Sequence, residues 1–175
     1  MRSTLGTLVG FILALSLLPT ASAQRRPDPL NPNEQDQLRD AAQDPAERLK
    51  LYILFARTRL TALEQMRADP KTTDRAQQTR GRLQDFLDVY DELNDNIDTF
   101  VGRKADLRKP LKSVIEADTE FQAKLRALKS SSDSSKDQAK YDFLLSNVLD
   151  TVDGSVQDHR QLLNEQEEAF KHKKK

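Results

Sequence analysis

His159, His172 and Met66 are the side chains best suited to metal or haem chemistry, since the 175-residue chain has no cysteine. A small exported helical protein can hold haem between a Met and a His, provided both meet at one iron. Met66 closes one helical pattern and His159 falls about 25 residues into the last. Antiparallel packing then sets them roughly 30–35 Å apart. The pair fails as haem ligands. A di-metal carboxylate bundle needs Glu-x-x-His on inward faces, and Val156 stands where that Glu belongs before His159. The lack of cysteine removes thiol nucleophiles and thiolate metal sites. No Ser-His-Asp arrangement or glycine-rich phosphate loop is present either. The chain is expected to have no cofactor, no metal and no enzymatic activity.

His159 reads instead as a structural or pH-responsive group at the rim of the last helix, since an unperturbed imidazole titrates near neutral pH. Asp118 is the other polar residue to place. Between Val114 and Phe121 the apolar pattern passes through either Ala117 or Asp118. A buried carboxylate needs a partner, and Arg57 or Arg59 on the first long helix would lie at about its level. The acids Asp85, Asp88, Asp91, Glu92, Asp95 and Asp98 form a solvated ridge. Asp95-Asn96-Ile97-Asp98 lacks both the ligand spacing and the central glycine of a calcium loop. Leu60-Thr61-Ala62-Leu63-Glu64 resembles the Leu-Thr-x-x-Gln signature of small periplasmic stress chaperones, with Glu64 at the glutamine position. A single near-match assigns no family.

The elements that must position these groups are helical. Leu83, Phe86, Tyr90, Leu93, Ile97 and Phe100 recur at alternating steps of three and four, the rhythm of a helix packing on other helices. This helix should run from about Thr73 or Asp74 to Val101, with Gly102 as its stop. Before it, Asp44-Pro45 with Glu47 starts a helix that carries Leu49, Ile53, Ala56, Leu60 and Leu63 to Asp69-Pro70. Tyr52, Leu54 and Phe55 widen its stripe. A third helix begins between Asp106 and Pro110 and shows Leu107, Leu111, Val114, Phe121, Leu125 and Leu128. After the polar loop from Ser130 to Lys136, in which Asp133 can cap, the last helix runs from about Ser134 towards Lys171. Tyr141, Leu145, Val148, Val152, Val156, Leu163 and Phe170 mark its inner face. At roughly 55 Å it outruns its neighbours, so the part after Arg160 overhangs the bundle or folds back beside the short first helix. Gly81 interrupts the second helix at about 1 kcal/mol, and a close helix contact would explain it.

The expected fold is all-α, an up-down-up-down antiparallel four-helix bundle over residues 44–172. An extended arm and a short helix over 24–43 precede it, the latter from Glu34 to Gln43. A basic tail, 173–175, follows.

Arg2, the apolar run from Leu5 to Leu18, Pro19 and Ala21-Ser22-Ala23 make residues 1–23 an export signal, too short before Pro19 to span a bilayer. The expected address is extracytoplasmic, periplasmic or secreted. Cleavage leaves 27 basic and 28 acidic residues. That balance gives no reason for nucleic-acid binding. The leading functional expectation is contact with a protein, another copy included, through Leu162, Leu163 and Phe170 of the overhang, interleaved with Glu165, Glu167 and Glu168. A small-molecule or lipid carrier and a chaperone-like stress protein are the alternatives. The cations Lys171, Lys173, Lys174 and Lys175 serve the helix dipole and solubility first, and an anionic membrane surface second. Intact-mass measurement of the exported protein should show Gln24 as its first residue; a product that retains the apolar run would refute the signal.

Overall fold

The computed structural model describes residues 28–131 and 135–173, and every element in them is helical. The expected signal over 1–23, residues 24–27 of the expected arm, the expected capping position at Asp133, and Lys174 and Lys175 lie outside the described residues. The helices are α1 (Pro32–Asp40), α2 (Pro45–Ala68), α3 (Arg75–Gly102), α4 (Arg108–Lys129), α5 (Ser135–Gln138) and α6 (Asp142–Lys173). Four long helices form the bundle. The helix α1 lies on α2, and α5 sits in the connection before α6. Among the described residues, no helix is long and apolar enough to cross a membrane.

Local chemistry sets the helix starts. Asp44 accepts from the amides of Ala46 and Glu47 with Pro45 at the first helical position. The capping box falls on α1 rather than α2. Asn31 accepts from the Glu34 amide at 3.0 Å, and the Glu34 carboxylate accepts from the Asn31 amide at 2.9 Å. Asp74 precedes α3 in the left-handed region and makes no side-chain cap. A Cβ at Gly81 would meet nothing within 4 Å. No close helix contact explains that glycine.

The stripes close on one another as two antiparallel hairpins, α2 with α3 and α4 with α6, stacked so that α2 lies beside α4 and α3 beside α6. Consecutive helices α3 and α4 therefore sit across the bundle diagonal and meet through side chains. Phe121 of α4 stands edge-on to Phe86 and Tyr90 of α3, with ring centroids at 5.4 and 6.1 Å. Every apolar seam position from Leu83 to Phe100 is buried. Leu54 departs from the expected stripe: it is 49% exposed while Tyr52 and Phe55 beside it are buried.

Two expectations about the last helix need correction. It starts at Asp142, because residues 135–141 form α5 and a turn, and its 32 residues span roughly 48 Å. Its end does not overhang, since the α3–α4 turn runs alongside it. Gln166 accepts from the Leu107 amide at 2.7 Å and donates to the Ala105 carbonyl at 3.2 Å. Leu162 and Leu163 pack on the core.

The short α1 is held by charge. The Arg59 guanidinium donates to both Glu34 oxygens at 2.7 and 2.6 Å and to the Pro29 carbonyl at 3.1 Å. Arg48 donates to the Leu38 carbonyl at 2.6 Å. Burial pushes the Glu34 carboxyl up, but the hydrogen bonds from Arg59 and Asn31 and the Arg59 charge outweigh it and hold the group below its ordinary 4.5. With the folded value depressed, the clamp is at full strength above 4.5 and is lost as pH falls through the lower folded value. Arg59→Met strands a buried carboxylate and should cost about 3 kcal/mol. Hydrogen exchange followed by mass spectrometry should show amides of 32–40 opening in that variant at neutral pH, and in the parent only in acid. Equal protection in both would sink the clamp.

Candidate functional site

Three seams bring one polar group each to the middle of the bundle. Tyr90 follows Leu83 and Phe86 on α3, Asp118 follows Val114 on α4, and His159 follows Val152 and Val156 on α6. Tyr90 and Asp118 are 0% exposed and His159 is 5% exposed. The Tyr90 hydroxyl donates to Asp118 Oδ1 at 2.8 Å, and His159 Nδ1 lies 2.8 Å from Asp118 Oδ2. One carboxylate thus joins three helices, one oxygen to each neighbour.

The electrostatics follow from burial. Loss of water, then the charge of Asp118, push the Tyr90 phenol above its ordinary 10, so it remains a donor. A carboxylate only accepts, so its bond to imidazole requires the proton on Nδ1. Ser155 reaches the Tyr90 hydroxyl and accepts from Asn94 Nδ2 at 3.2 Å, which extends the polar cluster along α6. Asn94 Oδ1 is buried with no partner among the described residues, a position a buried water would satisfy.

A carboxylate, an imidazole and a phenol in line are groups that elsewhere move protons. Here each has its hydrogen bond inside a packed core. The trio ties α3, α4 and α6 together through one carboxylate. Removing any member leaves the others buried and unmatched.

Sequence reasoning placed some of these residues and misplaced others. Both Ala117 and Asp118 are buried, at 2% and 0%. The partners of Asp118 are Tyr90 and His159, because Arg57 pairs with Glu120 at 2.8 Å and Arg59 with Glu34. His159 lies level with the middle of α4 rather than at the rim, since the later start of α6 slides that helix along its neighbour. Tyr90 was read only as an apolar seam residue. Its buried hydroxyl needed an acceptor just as Asp118 needed a donor, and that mutual need was the available signal. Met66 packs at the end of α2, where its carbonyl accepts from Thr72, and His159 is bonded to Asp118, so the two do not meet. Phe170 is 37% exposed with the Arg108 guanidinium 3.4 Å above its ring.

Two surface features complete the inventory. Between α2 and α4, Leu60, Leu63, Leu125 and Leu128 line a groove of about 250 Å³, edged by Arg67 and by the Glu64–Lys124 ion pair at 2.7 Å. At the far end of the bundle, a cleft of about 470 Å³ lies between the start of α4 and the end of α6. Among the described residues no group of three or more His, Asp or Glu side chains gathers to hold a metal ion. Comparison with protein-family models, with curated proteins and with solved structures finds no match for this chain.

The trio predicts an order of effects in denaturant unfolding. Asp118→Ala should cost about 3–5 kcal/mol, which lowers the melting temperature by about 10 °C. Tyr90→Phe should cost about 1–2 kcal/mol. Combining Tyr90→Phe, Asp118→Val and His159→Leu should recover most of the loss from Asp118→Ala, because no buried polar group is then left alone. A triple variant weaker than Asp118→Ala would refute that account.

Proposed function

We propose that this chain is an exported, non-enzymatic helical protein that works by protein contact in the cell envelope or outside the cell. One observation carries the reading: Tyr90, Asp118 and His159 are committed to one another in the core, while large apolar side chains stay outside. Phe143, at the start of α6, is 88% exposed and Leu54 on α2 is 49% exposed. Of the three residues expected to meet a partner, Leu162 and Leu163 are engaged by the bundle, and Phe170 keeps outer surface. Exposed aromatic side chains are favoured anchors at protein interfaces.

The groove between α2 and α4 supports a second reading, a carrier of a small apolar ligand. Its volume of about 250 Å³ falls just below the usual range of ligand pockets, so it suits a short apolar group rather than a whole lipid. Crosslinking mass spectrometry on an envelope extract should join the mature protein to a partner. Those crosslinks should fall when Phe143→Asp and Phe170→Asp are introduced, with the helical signal unchanged. Unchanged crosslinks would refute the contact, and native mass spectrometry showing a bound apolar mass would favour the carrier.

A further inference from the structure

We propose that one end of the bundle, built from the α3–α4 turn, the start of α4 and the last turns of α6, docks on an anionic lipid surface. The sequence keeps these segments about sixty residues apart, and the fold joins them. Lys112 pairs with Glu167 at 3.3 Å, Arg108 covers the Phe170 ring, and Gln166 bonds the turn itself. Lys171 thereby joins a patch that starts with Arg103 and Lys104.

Charge is concentrated there against the sign of the rest. Segments 103–112 and 165–175 together carry nine cations and four acids, whereas the mature chain is one charge negative. The remainder therefore bears a net charge of −6. Within these segments the four acids are engaged: Asp106 by Arg108, Glu167 by Lys112, Glu168 by Lys171 and Glu165 by the Gln161 amide. Lys104 and Lys109 have no hydrogen-bonding or ionic side-chain partner among the described residues.

Two of these cations sit where the fold itself disfavours them. Lys104 occupies the left-handed position that closes α3, with φ 58°. Its amide and that of Ala105 cap the helix through the carbonyls of Val101 and Phe100, a place that suits glycine. Lys109 stands in the first turn of α4, whose aligned amides repel positive charge. Local stability would favour glycine at 104 on backbone grounds and an uncharged or acidic residue at 109 on electrostatic grounds, so the charge of Lys109 is the one that the fold does not account for.

The shape suits lipid. Arg108, Lys109, Lys112 and Lys171 line the cleft of about 470 Å³, room for a phosphate head group, and outnumber its two carboxylates, Asp106 and Glu167, while exposed Phe170 supplies an apolar wall. Lys104 and Lys109 extend into solvent beside these paired cations, without the fixed geometry that a folded acidic partner would need. A layer of laterally mobile phosphates adapts to them. The acidic ridge of α3 runs up the side of the bundle and is repelled by the same surface, which orients the molecule end-on.

The test uses the mature chain, from Gln24 to Lys175, and sedimentation with vesicles. Binding is expected to phosphatidylcholine vesicles containing about one-third phosphatidylglycerol, to weaken at high salt, and to be absent on pure phosphatidylcholine. Lys104→Glu with Lys109→Glu should lower binding about tenfold or more, whereas Lys71→Glu at the opposite end should leave it unchanged. Lys104→Gly with Lys109→Gln keeps the readout interpretable: it should hold or raise thermal stability while still weakening binding. Equal binding to both vesicle types, no binding at all, or an equal loss from Lys71→Glu would overturn the proposal. Retention on a soluble polyanion such as heparin without vesicle binding would overturn the lipid assignment as well.

Discussion

A carboxylate with no access to water is the constraint around which this bundle is arranged. Asp118 must find two donors or the fold loses several kcal/mol, and only one register of α3 and α6 against α4 supplies them. Apolar seams alone tolerate sliding, since leucine meets leucine equally well one turn along. The hydrogen bonds of Tyr90 and His159 do not. The aromatic cluster of Phe86, Tyr90 and Phe121 fits around the same point, so packing and polar matching select one alignment together.

The diagonal relation of α3 and α4 adds to that need. Two hairpins stacked face to face share a broad apolar surface, and such surfaces specify orientation weakly. The polar trio crosses from one hairpin to the other, with Tyr90 on the first and both Asp118 and His159 on the second. It acts where specification is weakest. The surface pairs Arg57–Glu120 and Lys124–Glu64 bridge α2 and α4 as well, yet they are partly exposed and contribute less.

Much of the fold was legible because helical spacing is a strong signal in this chain. The seam from Leu83 to Phe100, the start at Asp44-Pro45 and the stop near Gly102 all follow from periodicity and capping chemistry. Registry was less legible. The last helix was read from about Ser134, since nothing in its spacing distinguishes α5 and the following turn from a first helical turn. That seven- or eight-residue error moved His159 from mid-bundle to the rim and hid its meeting with Asp118. Tyr90 was missed for a different reason: in a pattern of apolar positions a tyrosine counts as hydrophobic, and its hydroxyl drops out of the reading. The displaced end of α6 had the same origin, because an overhang follows from length alone and the Gln166 bonds to the α3–α4 turn have no periodic signature.

Gln166 also bears on the order in which the chain matures. Ribosomes deliver residues 103–107 long before residue 166, so the amide of Leu107 has to await the nearly finished polypeptide for its acceptor. Final closure of the turn then belongs to the moment the last dozen residues come free of the ribosome, one of the latest local contacts that the chain can make.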